Sequence, residues 1–222
     1  MFSVNSDQDK VKRANTYITL FFLCALCAIL MSCKPKALPE PKPMGYFRID
    51  LPEHKYKPLD ASQSIPSKQT DIMVLPPFTC EQSVNAISTI EPRPDNSLWM
   101  NITYPDLRAS FCFTCFQVNN ADSLRNLMIS EDKMVKFHYQ KADDVQYSVI
   151  HDPESNLWGQ TYEIYGKEVA TPFQFWLTDS AHRFVRATLY FDDTPNNDSL
   201  QPVIQYLKED ALHLINTFEW KP

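Results

Sequence analysis

The uncharged run near the N-terminus is the feature that most limits what this chain can fold into. It extends for fifteen residues, from Tyr17 to Met31, and follows a segment that carries three basic residues. A helix of that length spans about 22 Å, which is short of the roughly 30 Å of hydrocarbon in a bilayer. The layout is typical of a secretory signal peptide. We therefore predict that residues 1–32 are removed and that the remainder forms the exported protein.

The end of this run predicts a lipid anchor. Leu30-Met-Ser-Cys33 resembles the bacterial lipobox, in which a small residue stands just before the cysteine. Ser32 fits beside the bond that the signal peptidase cleaves, and the thiol of Cys33 is the group that carries the lipid. Each buried methylene of an acyl chain such as palmitate contributes about 0.8 kcal/mol to membrane binding. We predict that Cys33 is lipidated; the alternative is a buried cysteine at a helix end.

The rest of the chain divides into a tether and one domain. Residues 33–44 contain four prolines, and a segment of this kind is stiff and extended. Residues 45–222 are predicted to form a single globular domain, because 44% of the chain is hydrophobic and 13% is aromatic.

Composition argues against several classes of function. The chain has 21 basic and 27 acidic residues, so it lacks the basic surplus with which proteins bind nucleic acid. Its three glycines are too far apart to form a phosphate loop or a hydrolase elbow. No pair of its five histidines has the spacing of a zinc motif. We expect no nucleic acid, no cofactor and no metal, and we predict that the protein is not an enzyme.

Hydrophobic periodicity predicts an α+β fold. Alternating residues predict an edge strand at 45–52 and two further strands at 99–104 and 109–118. A helix follows at 119–140, and a long amphipathic helix begins near Asn197. Between the two helices, four strands with short connections predict an antiparallel meander, at 146–151, 157–165, 172–178 and 183–192. The predicted architecture is therefore an antiparallel sheet packed against helices.

The domain keeps three cysteines besides the lipobox residue: Cys80, Cys112 and Cys115. Cys112 and Cys115 have C-x-x-C spacing, but they lie in a predicted strand, where residues three apart point to opposite faces. A redox pair needs a helix N-terminus instead. We predict that the cysteines are structural, and a bridge from Cys80 to either of the other two remains open.

The densest aromatic group lies in the meander and consists of Trp158, Phe173, Phe175, Trp176, Tyr190 and Phe191. In one interpretation most of them are sheet core. In the other, one or two, such as Phe175 and Trp176, stand on an exposed face beside Arg183 and Arg186. Aromatic residues and arginine dominate interface hot spots, so these four are the candidate residues for binding a partner protein.

Several blocks of sequence behind the predicted lipid anchor occur in a definite order. They are Gly45-Tyr-Phe-Arg-Ile-Asp-Leu-Pro-Glu-His54, Tyr104-Pro-Asp106, Phe173-Gln-Phe-Trp-Leu-Thr-Asp-Ser180, Ala187-Thr-Leu-Tyr-Phe191, Asn197-Asp-Ser-Leu-Gln-Pro-Val-Ile-Gln-Tyr-Leu-Lys-Glu-Asp210 and Leu214-Ile-Asn-Thr-Phe-Glu-Trp-Lys221. In this order they resemble the gliding motility lipoprotein GldD family of Bacteroidetes. The meander and terminal helix also resemble, at the level of fold alone, the Mog1/PsbP-like α/β/α sandwich.

The resemblance implies a non-enzymatic lipoprotein of the gliding motility and type IX secretion apparatus. Such a protein faces the periplasm, in our prediction from the outer membrane, and binds other lipoproteins or membrane proteins of that apparatus. The alternative is an envelope hydrolase or a carbohydrate-binding lipoprotein that acts on peptidoglycan or surface polysaccharide. A pocket with two carboxylates about 5 to 9.5 Å apart favours the alternative, whereas an exposed aromatic patch favours protein binding.

Overall fold

The computed structural model of the protein describes residues 49–60, 75–93, 97–192 and 196–222. The predicted signal peptide, the proline-rich tether and the lipidation site Cys33 all lie outside the described residues.

The described residues form eleven strands, two α-helices and one turn of 3-10 helix at Pro105–Leu107. In chain order they are β1 (Tyr56–Pro58), β2 (Phe78–Thr79), β3 (Glu81–Ser83), β4 (Ile87–Pro92), β5 (Leu98–Tyr104), β6 (Ala109–Gln117), α1 (Ala121–His138), β7 (Asp144–Asp152), β8 (Leu157–Tyr165), β9 (Phe173–Thr178), β10 (Arg183–Phe191), α2 (Asn197–Asn216) and β11 (Glu219–Trp220).

A seven-stranded antiparallel sheet forms the centre of the domain. Its order is β4-β5-β6-β10-β9-β8-β7, and the four consecutive strands β7 to β10 form the predicted meander. Strand β6 pairs with β10 along its whole length, from Ala109 opposite Phe191 to Gln117 opposite Arg183. Two small pairs, β1 with β3 and β2 with β11, lie outside this sheet.

The two faces of the sheet are covered by different helices. On one face, which we call the α2 face, strand residues share the main core with α2; its fully buried members include Phe113, Phe175, Leu177, Leu189 and Leu207. On the other, the α1 face, a smaller core joins strand residues to Val135 of α1; it includes Tyr162, Ile164, Trp176 and Phe184. An antiparallel sheet with a helix on each face confirms the α+β prediction, whereas the Mog1/PsbP-like detail stays a prediction.

The two helices begin in different ways. The Asn120 side chain accepts a hydrogen bond from the Ser123 N–H at 2.8 Å and so caps α1, as its sequence predicts. The residue before α2, Asn196, makes no such side-chain bond. The next residue, Asn197, is buried and donates from Nδ2 to the carbonyls of Gly166 at 2.8 Å and Val169 at 2.9 Å. The start of α2 is therefore held by tertiary contacts.

Gly159 of β8 stands where only a glycine fits. A Cβ atom at this position would lie 2.2 Å from the carbonyl oxygen of Trp176 on the neighbouring strand. The absence of a side chain thus lets the backbones of β8 and β9 approach closely.

The structure also tests two further sequence predictions, an edge strand near the N-terminus of the domain and the placement of two cysteines in β6. Of the edge strand predicted at 45–52, residues 45–48 lie outside the described residues, and residues 49–52 form no strand. The first described strand is β1, beyond Pro52, which has no N–H to donate. Cys112 and Cys115 do point to opposite faces of β6, with Cys115 buried in the main core. Both are free thiols, as is the buried Cys80.

Candidate functional site

The structure separates the four residues predicted to bind a partner. Phe175 and Trp176 are neighbours in β9, and they are buried on opposite faces of the sheet, with 2% and 6% of their surface exposed. Arg183 and Arg186 are three apart in β10, so they also point to opposite faces. This corrects the expectation that the four share an exposed face: alternation along a strand places neighbouring and third residues on different sides.

Arg183 is the first residue of β10 and directly follows the turn from β9. Its Nε lies 3.8 Å from Asp179 Oδ2, and its guanidinium lies 5.9 Å from the ring centre of Trp220. The Asp179 Oδ1 atom accepts the N–H groups of Ala181, His182 and Arg183 at 2.8 to 2.9 Å. Burial opposes the ionisation of Asp179, but these three donors outweigh burial and lower the pKa of this carboxyl. The Arg183 and Asp179 pair therefore holds the turn.

Arg186, by contrast, points into a polar cavity between the sheet and α1. The cavity, which we call the α1 cavity, has a volume of about 220 Å³. Its lining comes from three strands, the loop before β9 and one helix, and consists of Cys112, Thr114, Glu131, Met134, His138, Thr171, Gln174, Arg186, Thr188 and Tyr190. A concave site where polar side chains converge from several elements is the usual place to look for a ligand.

An ion pair spans the α1 cavity from sheet to helix. Arg186 Nη1 lies 3.2 Å from Glu131 Oε1 and 3.4 Å from Met134 Sδ. The Glu131 side chain is only 8% exposed, and burial raises its pKa even though Arg186 favours the charged form. The pair therefore fixes α1 against β10 at a position where the carboxylate is buried and the guanidinium is partly exposed.

The other polar groups of the cavity are uncharged near neutral pH. The Nε2 atom of His138 lies 2.9 Å from the Thr171 hydroxyl, and burial lowers the pKa of this histidine. Gln174 Nε2 donates to the same hydroxyl at 2.8 Å. Burial raises the pKa of the Cys112 thiol and of Tyr190, so both keep their protons. A protonated thiol is a poor nucleophile, so the cavity favours polar binding over nucleophilic chemistry.

The cavity is lined by one carboxylate, Glu131. A second acid of the same sheet, Glu163 of β8, points to the α2 face and binds Lys208 Nζ at 2.6 Å. The two acids therefore stand on opposite faces of the sheet. The paired carboxylates of a glycosidase do not meet among the residues that line this cavity.

Beyond helix α1, part of the α1 face of the sheet lies open to solvent. Trp99 of β5 is 43% exposed, and the Arg93 guanidinium stacks on its ring at 3.8 Å. Ile87 of β4 and Tyr190 of β10 are each 45% exposed on this face. These four residues define what we call the open face. It adjoins the α1 cavity, since Tyr190 belongs to both.

A second cluster of titratable side chains lies at α2 and was missed in the sequence. His54 Nδ1 lies 2.6 Å from Asp210 Oδ1, and its Nε2 lies 3.1 Å from Glu209 Oε2. The His54 ring stacks on Tyr206 with 4.2 Å between ring centres. The Asp210 side chain is only 1% exposed. A signal was present, because Asp210 is an acid on the otherwise apolar face of the amphipathic helix.

The same cluster continues through Tyr56. Its ring stacks on His213 of α2 at 3.5 Å, and His213 Nε2 lies 2.7 Å from Glu81 Oε2 of β3. Burial, followed by the nearby Asp210 carboxylate, raises the pKa of Tyr56 to about 12. These contacts fasten the segment at 49–60 and β3 to α2, and they give the cluster a structural role.

Comparison with known proteins supplies the family. The family model described as gliding motility lipoprotein GldD matches residues 36–220. No curated protein and no solved structure matches the chain.

Two further findings concern the described part of the chain. Neither of its helices has the length and apolar character needed to cross a bilayer. Nor do its His, Cys, Asp and Glu side chains gather anywhere into a group of three or more that could hold a metal ion.

Proposed function

This chain belongs to the gliding motility lipoprotein GldD family, and on that premise we propose that it is a periplasm-facing component of the gliding and type IX secretion apparatus that acts by binding a partner protein. Membership makes it a lipid-anchored protein of gliding motility. The type IX secretion system, the outer membrane and the partner are further parts of the proposal.

The open face is the observation that carries this proposal. Trp99 and Arg93 form an exposed aromatic and cationic stack at one end of β4, and Ile87 is exposed on the same face at the other end, on a part of the sheet that α1 leaves uncovered. Tryptophan, tyrosine and arginine are the residues that contribute most to protein interfaces. The open face therefore replaces the buried Phe175 and Trp176 as the proposed contact surface.

The test is to remove the open face without unfolding the domain. We expect deletion of the protein to impair gliding and the secretion of cargo, and we expect Trp99→Ala to weaken both in the same way. Phe137→Ala is the matched control, because Phe137 is 76% exposed on α1 and lies outside the open face. Cellular protein level and thermal melting identify variants that simply unfold. Normal secretion and motility in a clean deletion would reject the proposal.

The anchor is tested at Cys33. Mass spectrometry of the purified protein should find lipid on Cys33 and no residue before it, and Cys33→Ala should move the protein out of the membrane fraction. A mature N-terminus at Met1 would contradict the lipobox interpretation. Protease protection in intact and permeabilised cells then tests whether the domain faces the periplasm.

The α1 cavity favours a second candidate, a carbohydrate-binding lipoprotein. A polar cavity of about 220 Å³ beside an exposed tyrosine suits a single sugar unit of a cell-wall or surface polysaccharide. Titration of the purified protein with peptidoglycan fragments distinguishes the two candidates. Saturable binding that Gln174→Ala abolishes would favour carbohydrate, and turnover of such a fragment would favour the hydrolase.

A further inference from the structure

The two edges of the central sheet differ in how well they are protected. Edge strand β4 is six residues long and ends in Pro92, which has no N–H to offer. The Ser88 hydroxyl of β4 also donates to the backbone carbonyl of Asp60, which ties the N-terminal segment to this edge. Natural proteins commonly protect exposed sheet edges by such means.

Edge strand β7 has none of these protections within the described part of the chain. It runs for nine residues without a proline; six of the nine are exposed and none is buried. It pairs with β8 from Asp144 to Asp152. On its other side, every second N–H and C=O group points away from the sheet, and no described strand pairs with them. An unprotected edge of this length is a template for a further strand.

The side chains of β7 define what that strand must carry. Tyr147 and Val149 are 67% and 71% exposed and stand on the same face of the sheet, in one row with Val145. In a neighbouring strand, aromatic and β-branched residues pair best with this row. The occupant therefore needs apolar residues at alternate positions.

Charge at the two ends of β7 selects against a second copy of the chain. The strand carries Asp144 and Asp152 at its ends and no Lys or Arg between them. When two copies pair antiparallel over all nine residues, each Asp144 meets the partner copy's Asp152. Like charges directly opposite are destabilising in a sheet. A segment with basic residues at both ends is complementary instead.

We propose that β7 binds an extended segment of another protein, with alternating apolar residues and a Lys or Arg at each end, as an added strand of the sheet. The inference rests on the proposed function only in taking the partner to be a protein. The inferred binding site is the sheet edge remote from β4, and the open face is a separate surface. Experiments can therefore reject the β7 site while supporting the open face, or reject the open face while supporting the β7 site.

The first experiment uses a peptide probe and the full lipidated protein in detergent. The probe is Lys-Val-Thr-Val-Thr-Val-Thr-Val-Lys, and hydrogen exchange is followed by mass spectrometry. We expect the probe to slow exchange at residues 144–152. Glutamate in place of both terminal lysines should weaken binding at least about tenfold, because it meets Asp144 and Asp152 with like charge. Methylation of alternate peptide amides should abolish protection, since it removes the donors of the new ladder.

A matched pair of variants makes the test specific. Tyr147→Glu with Val149→Glu should lose the protection by the probe. Ile87→Glu with Trp99→Glu, two exposed positions on β4 and β5, should keep it. Both doubles alter surface positions, and a thermal melt confirms that each is folded.

Several results would overturn the proposal. They are an absence of protection by the basic probe, protection confined to residues outside β7, equal binding by the glutamate-ended peptide, and undiminished binding by the β7 variant. A concentration-dependent dimer in sedimentation that protects 144–152 without any peptide would also overturn it, in favour of a second copy. In cells, the folded variant Tyr147→Glu with Val149→Glu should reduce secretion of cargo. Normal secretion by this variant would contradict a role of β7 in binding the partner protein.

Discussion

The α2 face and the α1 face of the same sheet are built on different principles. On the α2 face, rings and branched chains such as Phe113, Phe175 and Leu207 exclude water almost completely. On the α1 face, a small apolar core adjoins the Arg186 and Glu131 ion pair, a polar cavity and an uncovered part of the sheet. Stability in this domain is therefore concentrated on one face, and the accessible polar and aromatic groups are concentrated on the other.

The largest expected difference between the two faces comes from shortening one buried side chain on each helix. Leu207→Ala on α2 should lower the free energy of unfolding by about 2–5 kcal/mol, because it leaves a cavity in the main core. Val135→Ala on α1 should cost about 1–2 kcal/mol, since two methyl groups leave a smaller core. Urea denaturation of the purified variants measures both values.

Two exposed positions on the same helices serve as controls for these truncations. Leu212→Ala on α2 and Ile129→Ala on α1 remove side chains that are 37% and 43% exposed. Each should change the free energy of unfolding by less than the buried truncation on its helix. Equal losses for Leu207→Ala and Val135→Ala would show that the two faces contribute alike and would break the comparison.

The next largest effect on stability is expected from the ion pair of Arg186 and Glu131 on the α1 face. Arg186→Met leaves the Glu131 carboxylate buried and unpaired, so we expect a loss of about 1–3 kcal/mol in the free energy of unfolding. The double variant Arg186→Met with Glu131→Gln should recover part of that loss, because no uncompensated charge remains. A double-mutant cycle from denaturation curves measures the coupling; independent, additive losses would contradict the pairing.

The dependence of stability on pH sharpens the contrast further. Because the folded pKa of Glu131 is raised, its charged form costs stability above that pKa, and the penalty disappears as the pH falls to the unfolded value of about 4.3. The wild type should therefore gain stability relative to Glu131→Gln as the pH falls from 7 towards 4. Urea midpoints measured across this range test the sign.

Asp179 provides a matched control of opposite sign. Its folded pKa is lowered, so its contribution is present above the unfolded value of about 3.9 and is lost as the pH falls through the folded pKa. Relative to Asp179→Asn, the wild type should lose stability in that acidic range. The same trend for both residues would contradict the assignment.

Much of the α2 face was predictable from the sequence, and much of the α1 face was not. Periodicity in the terminal segment and alternation in β5, β6 and β10 report the apolar core directly, so the meander and both helices were predicted correctly. The same alternation also places Cys112 and Cys115 on opposite faces of β6, as the structure has them.

The site depends on which face a helix covers, and periodicity does not contain that information. Phe175 and Trp176 look like one aromatic patch in sequence, yet α2 covers one of them and α1 covers the other. Arg186 meets Glu131, 55 residues earlier, only because β6 and β10 pair beneath α1. Long-range pairing of this kind follows from tertiary structure rather than from any local pattern.

The smallest predicted difference concerns how the two helices begin. Asn120→Ala removes the side-chain acceptor of the Ser123 N–H, so α1 should lose about 1 kcal/mol and fray at its first turn. Asn196→Ala occupies the equivalent position before α2 but removes no such bond, so it should change stability by no more than about 0.5 kcal/mol. Hydrogen exchange in the first turn of each helix separates local fraying from global unfolding. Equal fraying of both helices would show that the Asn120 cap adds nothing to α1, and that tertiary contacts fix its start as they do for α2.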